Sequence, residues 1–311
     1  MTIHSSAVVS APTALPPTVA SEAVQLVDYS RYRFRAEVDW IDLRIATAVP
    51  TNFMTVRNRL NVGYVEPECP SAGGACKEFR VRFQAPKSWA DLDDRLQKLT
   101  VDHPLAEPVS VTGIEIALDA YSRDHSHDDL VEMTVRFYRC ASKLVSSNRR
   151  ASKGKHGSHG LETLPQLRSL IADGYNIYIG NLTDDQRQHI YLKETDNKVM
   201  LPIAEHRART EFTLNGNKIP GQNFGSWKTR DFTEFAHFFK FRRLKDDLPL
   251  LVAVPLRTRV QIAEARPHRT ARGHLRMSSR STLADLKLNA LAFDALRELS
   301  RRWRGEMKTR I

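Results

Sequence analysis

The sequence predicts an α+β fold: a largely antiparallel sheet with helices packed on one side, followed by a basic helical C-terminal segment. Three observations carry this reading. Segments with period-two alternation recur through residues 25–245, helical patterns between them are few and irregularly placed, and turn-rich stretches separate neighbouring strands. A parallel α/β sheet would instead alternate strand and helix regularly.

Residues 1–24 are mostly Ala, Pro, Ser, Thr and Val, with almost no charge and no apolar period, and read as a disordered tail. They lack the basic start and continuous apolar block of a signal peptide. FRAEVDWIDLRIAT (34–47) alternates as a strand, with Asp39, Ile41, Leu43 and Ile45 on one face and Val38, Trp40, Asp42 and Arg44 on the other. After a Gly/Pro/Cys loop at 63–76, FRVRFQ (79–84) is a second strand and WADLDDRLQKL (89–99) has helical spacing. SVTGIEIALDAY (110–121) is a third strand, and VEMTVRFY (131–138) reads as a fourth. Residues 139–160 carry Arg139, Lys143, Arg149, Arg150, Lys153 and Lys155 with no acid, the pattern of a mobile basic loop. LETLPQLRSLIADG (161–174) is a helix ended by Gly174. YNIYIG (175–180) and QRQHIYLKE (186–194) are strands, and RARTEFTLNG (207–216) is another, ending in the hairpin-type pair Asn215-Gly216. DFTEFAHFFKFRRL (231–244) reads as an aromatic helix whose phenylalanines either stack unpaired bases or form core, the latter favoured by their spacing. The segment 246–311 holds a helix at 281–305, capped by Ser281 or Thr282 and stopped by Gly305.

Charge narrows the partner. Lys and Arg total 47 against 36 Asp and Glu, a net +11 that points to a polyanion, nucleic acid before anionic membrane. From residue 241 onward there are 17 basic and 7 acidic residues, nearly the whole surplus. The basic residues Arg149, Arg150, Lys153, Lys155, Arg242, Arg243, Arg301, Arg302 and Arg304 are candidates for gripping a phosphate backbone. Three cysteines, Cys69, Cys76 and Cys140, exclude a disulfide scaffold and suit a reducing cytosol. No apolar run is long enough to span a bilayer. A cytoplasmic protein with no membrane partner is expected.

Several residues carry chemistry. Glu115 and Asp119 share a strand face with only Ala117 between them, so they repel unless a proton or cation neutralises them. Oxygen ligands of this kind suit Mg²⁺ or Mn²⁺, although a solvated acidic face is an equal alternative on spacing alone. Asp39 lies in phase with Ile41 and Leu43, where a carboxylate is costly without a partner, which makes it a third candidate ligand. Tyr191 is flanked on its face by His189 and Lys193, groups that favour a phenolate or bind a phosphate beside it. A solvent-facing strand of mixed polarity is the commoner outcome for such a segment. Arg209 and Glu211 share a face and form either part of a metal site or an ion pair. His125-Ser126-His127 reads as a polar loop, and no phosphate-binding glycine loop, G-x-S-x-G or H-E-x-x-H pattern occurs.

The order VDWIDLRI, VTGIEIALD, YNIYIGNLTDDQRQHIYLKE and RARTEFTLNG resembles the replication initiation factor family, whose members start rolling-circle replication of small plasmids and filamentous phages. The likeness covers residues 36–245. It implies a histidine-hydrophobic-histidine-nickase-like catalytic core in which Tyr191 attacks a phosphodiester of single-stranded or extruded origin DNA, leaving a 5′-phosphotyrosyl link and a free 3′-OH. It further implies that Asp39, Glu115 and Asp119 hold a divalent metal, Mg²⁺ or Mn²⁺, that Lys193 steadies the phosphate, and that Arg209 with Glu211 orders the site. A host helicase and a second copy of the chain are further partners consistent with it. Two departures stand out: Gly113 occupies the place of a usual arginine, and Glu115 that of an aspartate. The alternative reading is a non-catalytic, sequence-specific DNA-binding protein with structural carboxylates; an RNA-binding regulator is a third.

Overall fold

The structure, a computed structural model, describes residues 27–68, 74–140, 149–153, 164–196, 198–244 and 282–306. The tail at 1–24, most of the basic loop including Lys155, the Arg149 side chain and the stretch 246–281 lie outside the described residues. In chain order the strands are β1 (Tyr32–Asn52), β2 (Tyr64–Pro67), β3 (Ala75–Gln84), β4 (Ser110–Ser122), β5 (Arg149–Ser152), β6 (Asn176–Ile179), β7 (Gln186–Lys193), β8 (Thr195–Asp196), β9 (Val199–Met200), β10 (Arg207–Asn215), β11 (Arg242–Leu244) and β12 (Thr282–Ala284). The helices are α1 (Phe53–Leu60), α2 (Trp89–Thr100), α3 (His127–Cys140), α4 (Leu164–Ala172), α5 (Phe224–Trp227) and α6 (Leu286–Trp303).

Eight strands form one sheet in the order β2-β3-β1-β4-β10-β7-β6-β5, and every described pair is antiparallel. The fold is α+β, as the alternation predicts. One face carries Ile41, Leu43, Ile116, Leu118, Ile190 and Phe212 into a single core. An aromatic cluster closes that core, with Trp89 stacked on Phe232 and set edge-on to Trp303 at 4.5 Å.

Two bulges break the predicted strand phases. Val38 pairs with Ile116 and Trp40 with Glu115, so Asp39 is an extra residue on β1. Asp42 pairs with Gly113 and Leu43 with Val111, so Thr112 is an extra residue on β4. Each extra residue swaps the faces of the strand residues beyond it. Val109 and Val111 therefore join the core instead of sharing a face with Glu115. Asp39 correspondingly leaves the phase of Ile41 and Leu43 and turns to the polar face, where it pairs with Arg209.

Residues 131–138 are not a strand but the body of α3. Val131, Met133, Val135 and Phe137 mimic a period of two, but Leu130, Thr134 and Tyr138 are buried as well, which only a helix achieves. Ser126 caps this helix by accepting from the Asp129 amide at 3.2 Å, so His125-Ser126-His127 is a helix start. Asn215-Gly216 opens a 3-10 turn rather than a hairpin, and residues 232–239 are 3-10 turns leading into β11 rather than a helix through 244. Their Phe232, Phe235 and Phe239 are core. The C-terminal helix starts at Leu286, later than its sequence pattern suggests, because Thr282–Ala284 pair with β11 and Asp285 is the cap. Gly174 and Gly305, at φ +77° and +72°, end α4 and α6 as expected. No helix among the described residues is long and apolar enough to cross a membrane.

Candidate active site

The sheet face opposite the core carries charged and aromatic residues in rows that run across the strands. Tyr191, Arg209, Asp119 and Arg35 form one row through β7, β10, β4 and β1. Arg150, Tyr178, His189, Glu211 and Ala117 form the next, and Arg187, Thr213, Glu115 and Trp40 the one after. Cross-strand neighbours lie within side-chain reach, so residues distant in sequence meet here by register alone.

Glu211 is the hub. It accepts from the Tyr191 hydroxyl at 2.8 Å and from Arg209 Nη1 at 3.2 Å on one oxygen, and contacts His189 Nδ1 at 2.9 Å with the other. Burial pushes its carboxyl up, but His189, Arg209 and Tyr191 outweigh it, and the net pKa lies well below the usual range. Arg209 grips Asp119 with two bonds of 2.6 and 2.7 Å and donates to Asp39 at 3.0 Å. Arg207 approaches Asp119 at 3.3 Å. Glu115 accepts from the Thr213 hydroxyl, which in turn accepts from Arg187.

Asp39, Glu115 and Glu211 each present an oxygen, and the three atoms lie within 4.8 Å of one another. The set therefore differs from the expected one: Glu211 takes part, whereas Asp119 is taken up by Arg209 and Arg207. The donors fit a hard divalent cation, being all carboxylate and partly uncompensated in charge. Burial and the neighbouring Glu211 charge push the Glu115 carboxyl up to about 7, and the same two causes raise Asp39. Burial and Glu211 also raise the Tyr191 phenol, so the hydroxyl is protonated at rest.

Aromatic rings buttress the tyrosine. Tyr178 stacks on His189 at 4.5 Å and His189 on Tyr191 at 4.2 Å, with Arg150 over Tyr178 at 5.2 Å. The His189 Nε2 atom is buried without a partner among the described residues. At Gly113 an added Cβ would lie 2.7 Å from Asn215 Oδ1 and 3.0 Å from Trp40, so a side chain where the family has an arginine would have to displace the Asn215 amide and crowd Trp40. Instead β3 supplies Arg80 and Arg82 to the buried Asp42.

Most of the other described basic candidates have intramolecular partners. Lys193 pairs with Asp196 at 3.1 Å, Lys153 reaches the Asp173 carbonyl and Arg150 the Gly180 carbonyl. Arg302 binds the Ala36 carbonyl and Arg304 pairs with Glu306, while Arg301 is exposed. Arg242 and Arg243 lie in β11. Sequence reasoning missed Thr213 and Arg187 as the orienters of Glu115; their shared strand phase with Glu211 and Tyr191 was the available signal.

No protein-family model matches the chain, and no curated protein is significantly similar. A solved structure, a rolling circle replication initiator protein from Geobacillus stearothermophilus, is similar to it over 70% of this chain and 90% of that one, with 13% identity and a TM-score of 0.38.

Proposed function

We propose that this protein initiates rolling-circle DNA replication by nicking single-stranded or extruded origin DNA through Tyr191. One observation carries the reading: the Tyr191 hydroxyl donates at 2.8 Å to Glu211, a member of the carboxylate trio with Asp39 and Glu115. Glu211 accepts the phenolic proton along that bond. The Tyr191 oxygen attacks phosphorus, the P–O3′ bond breaks, and the 3′-oxygen departs as an alcohol after taking up a proton. The product is a 5′-phosphotyrosyl link with a free 3′-OH. Asp39, Glu115 and Glu211 would hold Mg²⁺ or Mn²⁺, which when bound polarises the scissile phosphate. Arg209 keeps Glu211 and Asp39 in place, and Thr213 orients Glu115. Lys193, at the end of the same strand, steadies the phosphate once drawn from Asp196.

The test is covalent capture of a 3′-labelled, random-sequence single strand in Mg²⁺ or Mn²⁺, read on a denaturing gel. The wild type is expected to carry label; Tyr191→Phe should lose it and still bind DNA. Label on Tyr191→Phe equal to wild type defeats the role of Tyr191 and assigns the attack to another nucleophile; no label on wild type defeats the proposal and leaves a non-catalytic DNA-binding protein.

A further inference from the structure

We propose that a fourth cross-strand row, Lys193–Arg207–Tyr121–Arg33, is the track along which the unpaired DNA strand leaves the Tyr191 site. The inference rests on the nicking reading and names how its substrate is held. Lys193 pairs with Arg207 across β7 and β10, and Tyr121 with Arg33 across β4 and β1. The middle of the row is closed by contact, since the Arg207 guanidinium lies over the Tyr121 ring at 5.6 Å. Arg33 covers the same ring at 4.7 Å. Each member stands two residues along its strand from the row Tyr191–Arg209–Asp119–Arg35, so the track runs beside the nucleophile at a distance of roughly 7 Å.

The chemistry fits an unpaired polynucleotide. Three cations and one aromatic ring stand across four strands, a span of roughly 14 Å, with an arginine on each side of the ring. A guanidinium stacked on a ring keeps its outer plane for a base and its N–H edge for a phosphate oxygen. Arg33 is exposed and no carboxylate pairs with it among the described residues. The row lies within the sheet, its side chains set at strand spacing, and among the described residues no helix takes part in it, which favours a single strand over a duplex. On this face Arg209 is committed to Asp119, and Arg80 and Arg82 to Asp42; within the row Lys193 pairs with Asp196 and Arg207 reaches Asp119 and the Glu205 carbonyl, so Arg33 is the row's cation that meets a phosphate without first releasing an acid, and Lys193 and Arg207 join once drawn from theirs.

Fluorescence anisotropy with a short labelled single strand, in chelator so that nothing is cleaved, tests the track. Arg33→Ala and Tyr121→Leu are each expected to weaken binding about tenfold. Arg33→Ala should also reduce the slope of log affinity against log salt by about 0.7. Arg33→Lys, at the same exposed position, should keep the slope and lose affinity, which separates stacking from charge. Arg57→Ala, on α1, should bind as wild type. Wild-type affinity and slope in both Arg33→Ala and Tyr121→Leu, or tighter wild-type binding to the matching duplex, would overturn the inference. The covalent-capture assay keeps the two proposals apart. Wild type that binds through this row without carrying label defeats the nicking reading alone, and labelled wild type with variants of unchanged affinity defeats the track alone.

Discussion

Glu115 and Glu211 sit in one cluster yet have opposite titrations, and the difference is in their partners. Glu211 receives His189, Arg209 and Tyr191, so its charged form is favoured and its stability is present at neutral pH and lost in acid. Glu115 receives the Thr213 hydroxyl but is buried beside that Glu211 charge, and its carboxyl rises to about 7. The folded state therefore keeps a proton that the unfolded chain gives up above its ordinary pKa near 4.5. The associated stability is complete below that value and is lost as pH rises through about 7, a change on the order of a few kcal/mol. Chelated protein should thus melt at a lower temperature at about pH 8 than at about pH 5. Mg²⁺ or Mn²⁺ should raise the melting temperature more at the higher pH, because at the lower pH a proton competes for the site. Glu115→Gln should flatten the pH dependence and remove most of the cation effect. An unchanged cation shift in that variant would take Glu115 out of the ligand set.

At the scale of the element, the bulge at Asp39 decides what β1 contributes. Val38 faces the core opposite Ile116, and Trp40 faces the site opposite Glu115, so removing Asp39 would leave a regular strand with both faces intact. Deleting Asp39 should cost about 1–2 kcal/mol for its backbone bonds and retain the circular dichroism of the wild type. The same deletion should abolish the Glu115-linked cation stabilisation. Deleting Ile41 instead inverts the phase of part of the strand against β3 and β4 and should unfold the protein. Equal stability of the two deletion variants in denaturant titrations would refute the bulge. This element also shows what the sequence could not display. Alternation placed β1, β4, β7 and β10 correctly as strands, and Tyr191 with Glu211 on site-facing positions. An extra residue leaves no mark on an apolar pattern, so Asp39 was put on the wrong face. Residues 131–138 failed for a related reason: four apolar residues two apart satisfy a strand, and the helix is evident only when Leu130, Thr134 and Tyr138 are seen buried beside them.

For the whole molecule, one buried network ties distant segments together. Asp285 accepts from Tyr29 and from Arg136, both at 2.6 Å, and also caps α6 through the Leu288 amide at 3.1 Å. Asp285→Ala should cost about 3–5 kcal/mol, since it takes the carboxylate away from the largely buried Arg136 and from Tyr29 and removes the α6 cap. Asp285→Asn keeps the cap and should cost less; equal losses in the two variants, measured by urea unfolding, would mean that the charge contributes nothing. Aspartates at helix starts are legible in sequence, but the convergence of Tyr29, Arg136 and Asp285 is a tertiary fact with no local signature.

The strand order has a consequence for synthesis. The central β4 is flanked by β1, which precedes it in the chain, and by β10, which is made some ninety residues later. A nascent polypeptide that has emerged only through β7 possesses Asp39, Glu115 and Tyr191 but neither Arg209 nor Glu211. On the ribosome the carboxylate trio and the Tyr191–Glu211 bond therefore form only once β10, the last of these strands to be made, slots between β4 and β7.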